Sequence, residues 1–198
     1  MAKLYFKYGA MNCGKTTVLI QTAHNYEQQN MKVILIKPKI DNKGENFVVS
    51  RIGAKRKVDY LISEKDNIYE LIKEKHNDMS CLLVDEAQFL TSTQIDELQL
   101  IAATLNIAVI CYGLRCDFRQ QGFDGSTRLL QIADKLEEIK TICKCGRKAT
   151  TNVRKINADY VFEGNQVSID GINNVTYESM CPSCYLKLKN NNIQNNNI

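Results

Sequence analysis

No apolar run in this 198-residue sequence approaches the roughly 20 residues that a membrane-spanning helix needs. Residues 1–20 carry Lys3, Lys7 and Lys15, and no small-residue cleavage pattern follows an apolar core. An export signal is therefore not expected, and the chain reads as cytoplasmic with no membrane partner. Histidine is scarce: His24 falls on a predicted helix and His76 at a helix end, and neither belongs to a recognisable constellation. No catalytic or metal-binding role falls to histidine. Charge of one sign is lacking too, with Lys and Arg exceeding Asp and Glu by only 26 to 22. That balance suits anionic ligands but gives no argument for a nucleic-acid partner, and none is expected. The apolar fraction of 44% and charged fraction of 24% are ordinary for a globular chain, and the length allows one domain plus a small appendage.

What the sequence does contain is concentrated in a few stretches. Gly9-Ala10-Met11-Asn12-Cys13-Gly14-Lys15-Thr16 fits the phosphate-loop pattern at every fixed position. A short strand-like run, Leu4 to Tyr8, precedes it. A segment free of Gly and Pro, Thr16 to Gln29, follows it with Val18, Leu19, Thr22, Ala23 and Tyr26 at helix-face spacing. In such a context loop amides and a helix N-terminus point partial positive charge at an anion. Lys15 is expected to reach the β- and γ-phosphates, and the Thr16 hydroxyl to ligate Mg²⁺.

Lys32 to Lys37, closed by Pro38, reads as a strand buried on both faces, so residues 4–37 form a βαβ unit. Residues 38–58 are polar and basic and read as a solvated loop, from which Arg51 is the candidate to approach the phosphates. Residues 66–77 read as a helix capped by Asp66 or Asn67. Cys81-Leu82-Leu83-Val84-Asp85-Glu86 then has the form of a Walker B strand, with Asp85 expected to hold Mg²⁺ and Glu86 available as a general base. Further on, 92–105 reads as an amphipathic helix and 107–112 as a buried strand. An aromatic loop at 113–126, a short helix at 127–133 and a last strand at 136–142 follow. Four or five strands alternating with helices predict a parallel α/β core over residues 1–142.

Of the eight cysteines, Cys143, Cys145, Cys181 and Cys184 form two close pairs. Without an export signal, such pairs suit one tetrahedral structural Zn²⁺ better than disulfides. Alternating stretches at 149–153 and 166–169 between them predict a small β-ribbon, giving a second unit at 143–189. Residues 190–198 are nearly all Asn and read as a disordered tail.

Taken together these parts resemble the type II thymidine kinases: Gly-Ala-Met-x-x-Gly-Lys-Thr, then Asp85-Glu86-Ala87-Gln88-Phe89. Tyr112-Gly113-Leu114 with Asp117-Phe118 and Phe123 comes next, and then the four cysteines with Tyr177. The resemblance spans residues 3 to about 189. It implies a P-loop core with a zinc-ribbon, or lasso, domain, a homotetramer, and transfer of the ATP γ-phosphate to the 5′-hydroxyl of thymidine or deoxyuridine with Mg²⁺. It also implies a role in DNA-precursor salvage and feedback inhibition by dTTP. It makes Glu86 the proton acceptor and assigns Asp85, Glu86, Ala87 and Gln88 to the nucleotide-contacting segment. Met11, Phe89, Leu114, Phe118 and Phe123 would line the thymine pocket, joined by Thr151, Gly171 and Tyr177. Ala87, Arg115, Lys43 and Pro182 depart from the common family residues. The alternative reading takes Asp85-Glu86-Ala87-Gln88 as a helicase-like DEAx box in a single-domain P-loop ATPase stimulated by RNA or a partner.

Overall fold

The structure, a computed structural model, describes residues 1–41, 44–76, 78–157, 159–167 and 174–195. In chain order the first half is β1 (Leu4–Tyr8), α1 (Lys15–Gln28), β2 (Val33–Pro38), β3 (Phe47–Val49), β4 (Lys55–Lys57), β5 (Tyr60–Ile62), α2 (Ile68–Lys75) and β6 (Cys81–Val84). After a short 3-10 turn at Ala87–Phe89 come α3 (Ser92–Thr104), β7 (Ala108–Gly113), α4 (Asp124–Ile132) and β8 (Lys135–Glu138). The remainder is β9 (Thr141–Ile142), β10 (Lys148–Ala149), β11 (Thr151–Ile156), β12 (Asp159–Val161), β13 (Val175–Met180) and α5 (Pro182–Asn195). None of these helices is long and apolar enough to cross a membrane.

Six strands make one all-parallel sheet in the order β5-β2-β6-β7-β1-β8. The central strands are apolar at nearly every position because both faces are covered. Alternate side chains serve opposite layers. Leu4, Phe6, Ile34, Ile36, Leu82 and Val84 meet Ile68 and Ile72 of α2, Ile95 and Leu98 of α3, and Leu129 of α4. Leu35, Leu83, Ile110 and Tyr112 meet Leu19 and Ala23 of α1 on the other side. The predicted core of parallel sheet and flanking helices is therefore present.

Some sequence expectations need correction. The sheet has six strands rather than four or five, because three-residue β5 is too short to show a periodic pattern. Most of the basic segment read as a solvated loop is the β3–β4 hairpin, which buries Val48 beside Val58. The final strand predicted at 136–142 divides: β8 stays on the sheet edge, the Ile139 amide makes a last bond to the Tyr8 carbonyl, and β9 turns away to pair with β10. Helices α2 and α3 carry side-chain N-caps, and of Asp66 and Asn67 it is Asn67 that caps α2. The Asn67 side chain accepts from the Glu70 amide, and Thr91 forms a capping box with Gln94.

The second unit has its own small core of Ala149, Val153, Phe162, Met180 and Tyr185 around buried cysteines. Its sheet is β12-β11-β13. The stretch expected as a strand at 166–169 is not one at Gln166 and Val167, and residues 168–169 lie outside the described residues. Helix α5 begins at Pro182, a favoured first helical residue, and runs through the Asn-rich stretch as far as Asn195. The expected disorder from residue 190 is thus replaced by helix to that point. Packing decides this, since Tyr185 and Leu188 anchor α5 in the small core and the Asn192 side chain donates to the Tyr160 carbonyl.

Gly125 in α4 sits where a Cβ would come within 2.5 Å of the Ala87 carbonyl oxygen and 2.7 Å of the Leu90 one. Helix α4 thereby packs directly on the turn that follows β6. Gly125→Ala is expected to lower stability by roughly 1–3 kcal/mol, read as a lower denaturant midpoint with unchanged m-value.

Candidate active site

The motif-bearing segments leave the sheet at the carboxyl ends of their strands, the edge where open α/β sheets bind ligands. The Tyr8–Gly113 register sets the phosphate loop beside the loop after β7, and the Gly9 amide donates to the Gly113 carbonyl at 3.3 Å. Gly9 tolerates no side chain, because a Cβ would lie 2.5 Å from both Cys13 Sγ and the Ile139 carbonyl oxygen. Gly14 takes the left-handed conformation, φ 87°, and caps α1 without a side chain. The first amides of α1 are therefore left to a ligand. Lys15 is buried and its ammonium donates to the Ala10 carbonyl at 3.0 Å, with the Gly9 carbonyl at 3.5 Å and Cys13 Sγ at 3.8 Å. A first cavity is lined by Met11, Asn12, Gly14, Lys15 and Thr16 from this loop, and by Ser50 and Arg51 from the β3–β4 hairpin. Gly9, Ala10 and Cys13 do not line it.

Asp85 follows β6 with its amide bonded to the Ile36 carbonyl at 3.0 Å. Burial, then the nearby charges of Glu86 and Asp41, push its carboxyl pKa up to about 8, while Lys15 acts in the opposite sense. Positive charge at this carboxylate reverses the penalty. A buried carboxylate and a threonine hydroxyl are hard oxygen donors, which fit Mg²⁺. Glu86 adopts φ 49°, ψ 40°, a left-handed conformation. Its carboxylate accepts from the Gln88 side-chain amide at 2.5 Å, and the Gln88 oxygen in turn accepts from the Leu114 amide at 3.0 Å. Ala87 is fully buried and faces neither cavity.

A second cavity adjoins the first, with which it shares lining residues. Met11, Phe89, Leu114, Phe118, Phe123 and Tyr177 line it, together with Glu86 and Gln88. Phe89 and Phe123 meet edge to face at 5.6 Å. Met11, Glu86 and Leu114 line both cavities. Thr151 does not join them: it lines a separate cavity with Arg115 and Gln120, and Asn152 takes its place. Neighbouring strand residues face opposite ways, which sets Thr151 and Asn152 on different sides of β11. Gly171 lies outside the described residues, as does Lys43. Arg119 is engaged by the buried Asp117 at 3.0 Å within its own loop.

Sequence reasoning missed Asp41, Asn152 and Gln166, all of which line the second cavity. Asp41 had an available signal, since it follows the carboxyl end of β2. It also missed Arg154. This buried guanidinium lies 3.7 Å above the Phe118 ring, donates to the Tyr177 hydroxyl at 2.9 Å, and reaches the Asn165 and Gln166 carbonyls at 2.8 and 3.1 Å. It thus supports three parts of one cavity wall.

In the ribbon, the Cys143, Cys145, Cys181 and Cys184 sulfurs all lie within 4.8 Å of one another, and Cys145 and Cys181 are 3.5 Å apart. Sulfurs around tetrahedral zinc stand about 3.8 Å apart for Zn–S bonds near 2.3 Å, so the four thiols fit such an ion.

The family model described as "TK: Thymidine kinase" matches residues 2–185. A thymidine kinase of Lactiplantibacillus plantarum is 45% identical over 187 residues, covering 93% of this chain and 96% of that protein. Thymidine kinases of Xanthomonas axonopodis pv. citri and Shewanella oneidensis are 47% and 46% identical, covering 95% and 91% of the chain. The chain belongs to the thymidine kinase family. The family match takes in the parallel sheet, both cavities and the four-cysteine ribbon, and ends within α5. Among solved structures, Pif1 helicase from Candida albicans has a TM-score of 0.42 at 14% identity, covering 71% of this chain and 36% of that one. That likeness is too loose to bear on function.

Metal analysis of the purified protein is expected to give about one zinc per chain. Strong chelation, or Cys181→Ser, is expected to remove it and to lower the melting temperature. A variant with unchanged metal content and melting curve would exclude a structural metal at these cysteines.

Proposed function

We propose that this chain is an ATP:thymidine 5′-phosphotransferase. The observation that carries the reading is the position of Glu86. It lines both the cavity bounded by the phosphate loop and the aromatic cavity beside it. A carboxylate at that junction can meet the one oxygen of a nucleoside that points toward a nucleotide's phosphates.

In this reading the uncapped amides at the start of α1 and the Lys15 ammonium bind the ATP phosphates, with Arg51 approaching from the β3–β4 hairpin. Asn12, Gly14 and Thr16 complete the cradle, and Gly9, Ala10 and Cys13 shape it from behind. When bound, Mg²⁺ held by Thr16 and Asp85 supplies positive charge to the transferred phosphoryl group. The Phe118, Phe89 and Phe123 rings hold the base, backed by Arg154 and Tyr177, and Asp41 is within reach of the sugar. Glu86 orients the 5′-hydroxyl and accepts its proton as the O5′–Pγ bond forms and the bond from Pγ to the β-phosphate oxygen breaks, leaving ADP. Gln88 holds the Glu86 carboxylate in that direction. Such transfer depends on alignment and electrostatics more than on covalent chemistry. Tyr177 borders the nucleoside from the ribbon, and the family resemblance supports Gly171 as a further contact. The four cysteines hold zinc for this lasso, outside the reaction. The family resemblance further supports deoxyuridine as a second acceptor, dTTP as a feedback inhibitor, a homotetramer, and a cytoplasmic role in DNA-precursor salvage.

The test is ADP production from ATP and Mg²⁺ with each natural deoxynucleoside offered separately. Formation with thymidine, more weakly with deoxyuridine, and not without acceptor is expected. Equal ADP formation without any nucleoside would overturn the kinase reading in favour of an ATPase. Glu86→Gln is expected to lower kcat by roughly 10²- to 10⁴-fold while leaving ATP binding intact. Near-normal turnover would remove Glu86 from the base role.

A further inference from the structure

Met11 stands at the crest of the phosphate loop and is one of three residues that line both cavities. Its backbone is gripped from outside the loop. The Met11 amide donates to the Asn152 side-chain oxygen at 2.7 Å, and the Met11 carbonyl accepts from the Ser179 hydroxyl at 2.7 Å. Asn152 and Ser179 are direct partners across β11 and β13. Two opposed side chains of the ribbon thus close on the donor and the acceptor of a single residue more than a hundred positions away. The Asn152 amide nitrogen also donates to the Cys116 carbonyl at 3.3 Å, which brings the loop after β7 into the same junction.

The period of a strand explains the arrangement. Residues two apart share a face, so Asn152 and Arg154 on β11 lie on the same face as Ser179 and Tyr177 on β13, with Arg154 directly opposite Tyr177. One face of the ribbon therefore carries the grip on Met11 and, one step along, the support for the aromatic cavity. Cys181 of the four-cysteine cluster follows Ser179 by two residues in the same chain direction. The cluster fixes the end of the strand pair, the register places Ser179 against Asn152, and the pair fixes the crest of the phosphate loop.

We propose that Asn152 and Ser179 are positioning residues that clip the phosphate loop to the ribbon at Met11, so that the two cavities are set together and occupancy of one is felt in the other. This rests on the kinase reading for its substrates. Ser179 is the cleaner probe because it lines neither cavity, whereas Asn152 lines the second.

The experiment compares wild type, Ser179→Ala and Ser179→Thr in the full chain. It measures KM for ATP and for thymidine, kcat, the melting temperature, and calorimetric affinity for a non-hydrolysable ATP analogue with and without thymidine. Ser179→Ala is expected to raise both KM values roughly fivefold, the equivalent of about one neutral hydrogen bond. Its kcat should change less than either KM, and the influence of thymidine on analogue affinity should weaken. Ser179→Thr keeps the hydroxyl and is expected to restore wild-type values. Ser179→Ala with both KM values unchanged overturns the clip, even if its melting temperature falls, because a merely structural prop would behave so. If the wild type itself forms no thymidine-dependent ADP, the kinase reading fails instead. The analogue affinity of Ser179→Ala then decides the clip alone, with wild-type affinity overturning it.

Discussion

The site depends first on the parallel register of β6, β7 and β1. Tyr8 lies against Gly113, and Val84 against Cys111. Three chain segments therefore leave the same sheet edge within a few ångströms of one another: the phosphate loop, the aromatic loop, and Asp85-Glu86. A parallel ladder buried on both faces has little freedom to slip, because a shift of one residue would exchange its two hydrophobic layers. Leu83 would then face α3 and Leu82 would face α1. The stiffness of the core is what allows a carboxylate as buried as Asp85, 4% exposed, to be held at the edge at all. Its unfavourable burial is localised just past the end of β6, whose own residues are fully covered.

The ribbon applies a different solution to the same problem. A small unit of this kind buries too little surface to be rigid by hydrophobic packing alone. Its shape rests on polar anchors: four thiols at one end, the grip on Met11 in the middle, and Arg154 at the cavity. Arg154 is 2% exposed, and a guanidinium remains charged under all ordinary conditions. A phenol oxygen, two backbone carbonyls and a ring face surround it. Every one of those partners belongs to the cavity wall or to the segment next to it. The cation is therefore satisfied only when the wall is assembled, which ties the order of the ribbon to the shape of the cavity.

The parts legible in the sequence are those whose chemistry is local. Gly9 to Thr16, Cys81 to Glu86 and the two cysteine pairs each announce themselves within eight residues, because loop geometry, strand-end position and thiol spacing are short-range properties. The continuous apolar strands β2, β6 and β7 were equally plain. What escaped depends on distant partners. Strand β5 is a strand only because β2 offers it an edge, and its three residues carry no period of their own. The choice between Thr151 and Asn152 depends on which face of β11 meets the main domain, and no local pattern records that parity. Helix α5 continues past Lys189 through residues of poor helix propensity because its first turns are anchored. Arg154 was invisible for the same reason, as its importance lies in Phe118 and Tyr177.

Glu86 illustrates how one geometric demand propagates through the sequence. To face the junction of two cavities its backbone turns to φ 49°, a conformation that costs a non-glycine residue on the order of 1–2 kcal/mol. Gln88 offsets that cost by donating to the Glu86 carboxylate and accepting from the Leu114 amide. Gln88 can reach both only by lying flat against the end of β7. A Cβ at position 113 would stand 2.8 Å from its oxygen, and glycine is accordingly found there. The Ser126 hydroxyl, bonded to the Leu114 carbonyl, holds the other side of the same peptide segment, and Gly125 lets α4 come close enough to place it. The identities of residues 86, 88, 113, 125 and 126 are thus one constraint: a carboxylate must be aimed at a particular point, and each neighbour is the residue that leaves room for it or fastens it.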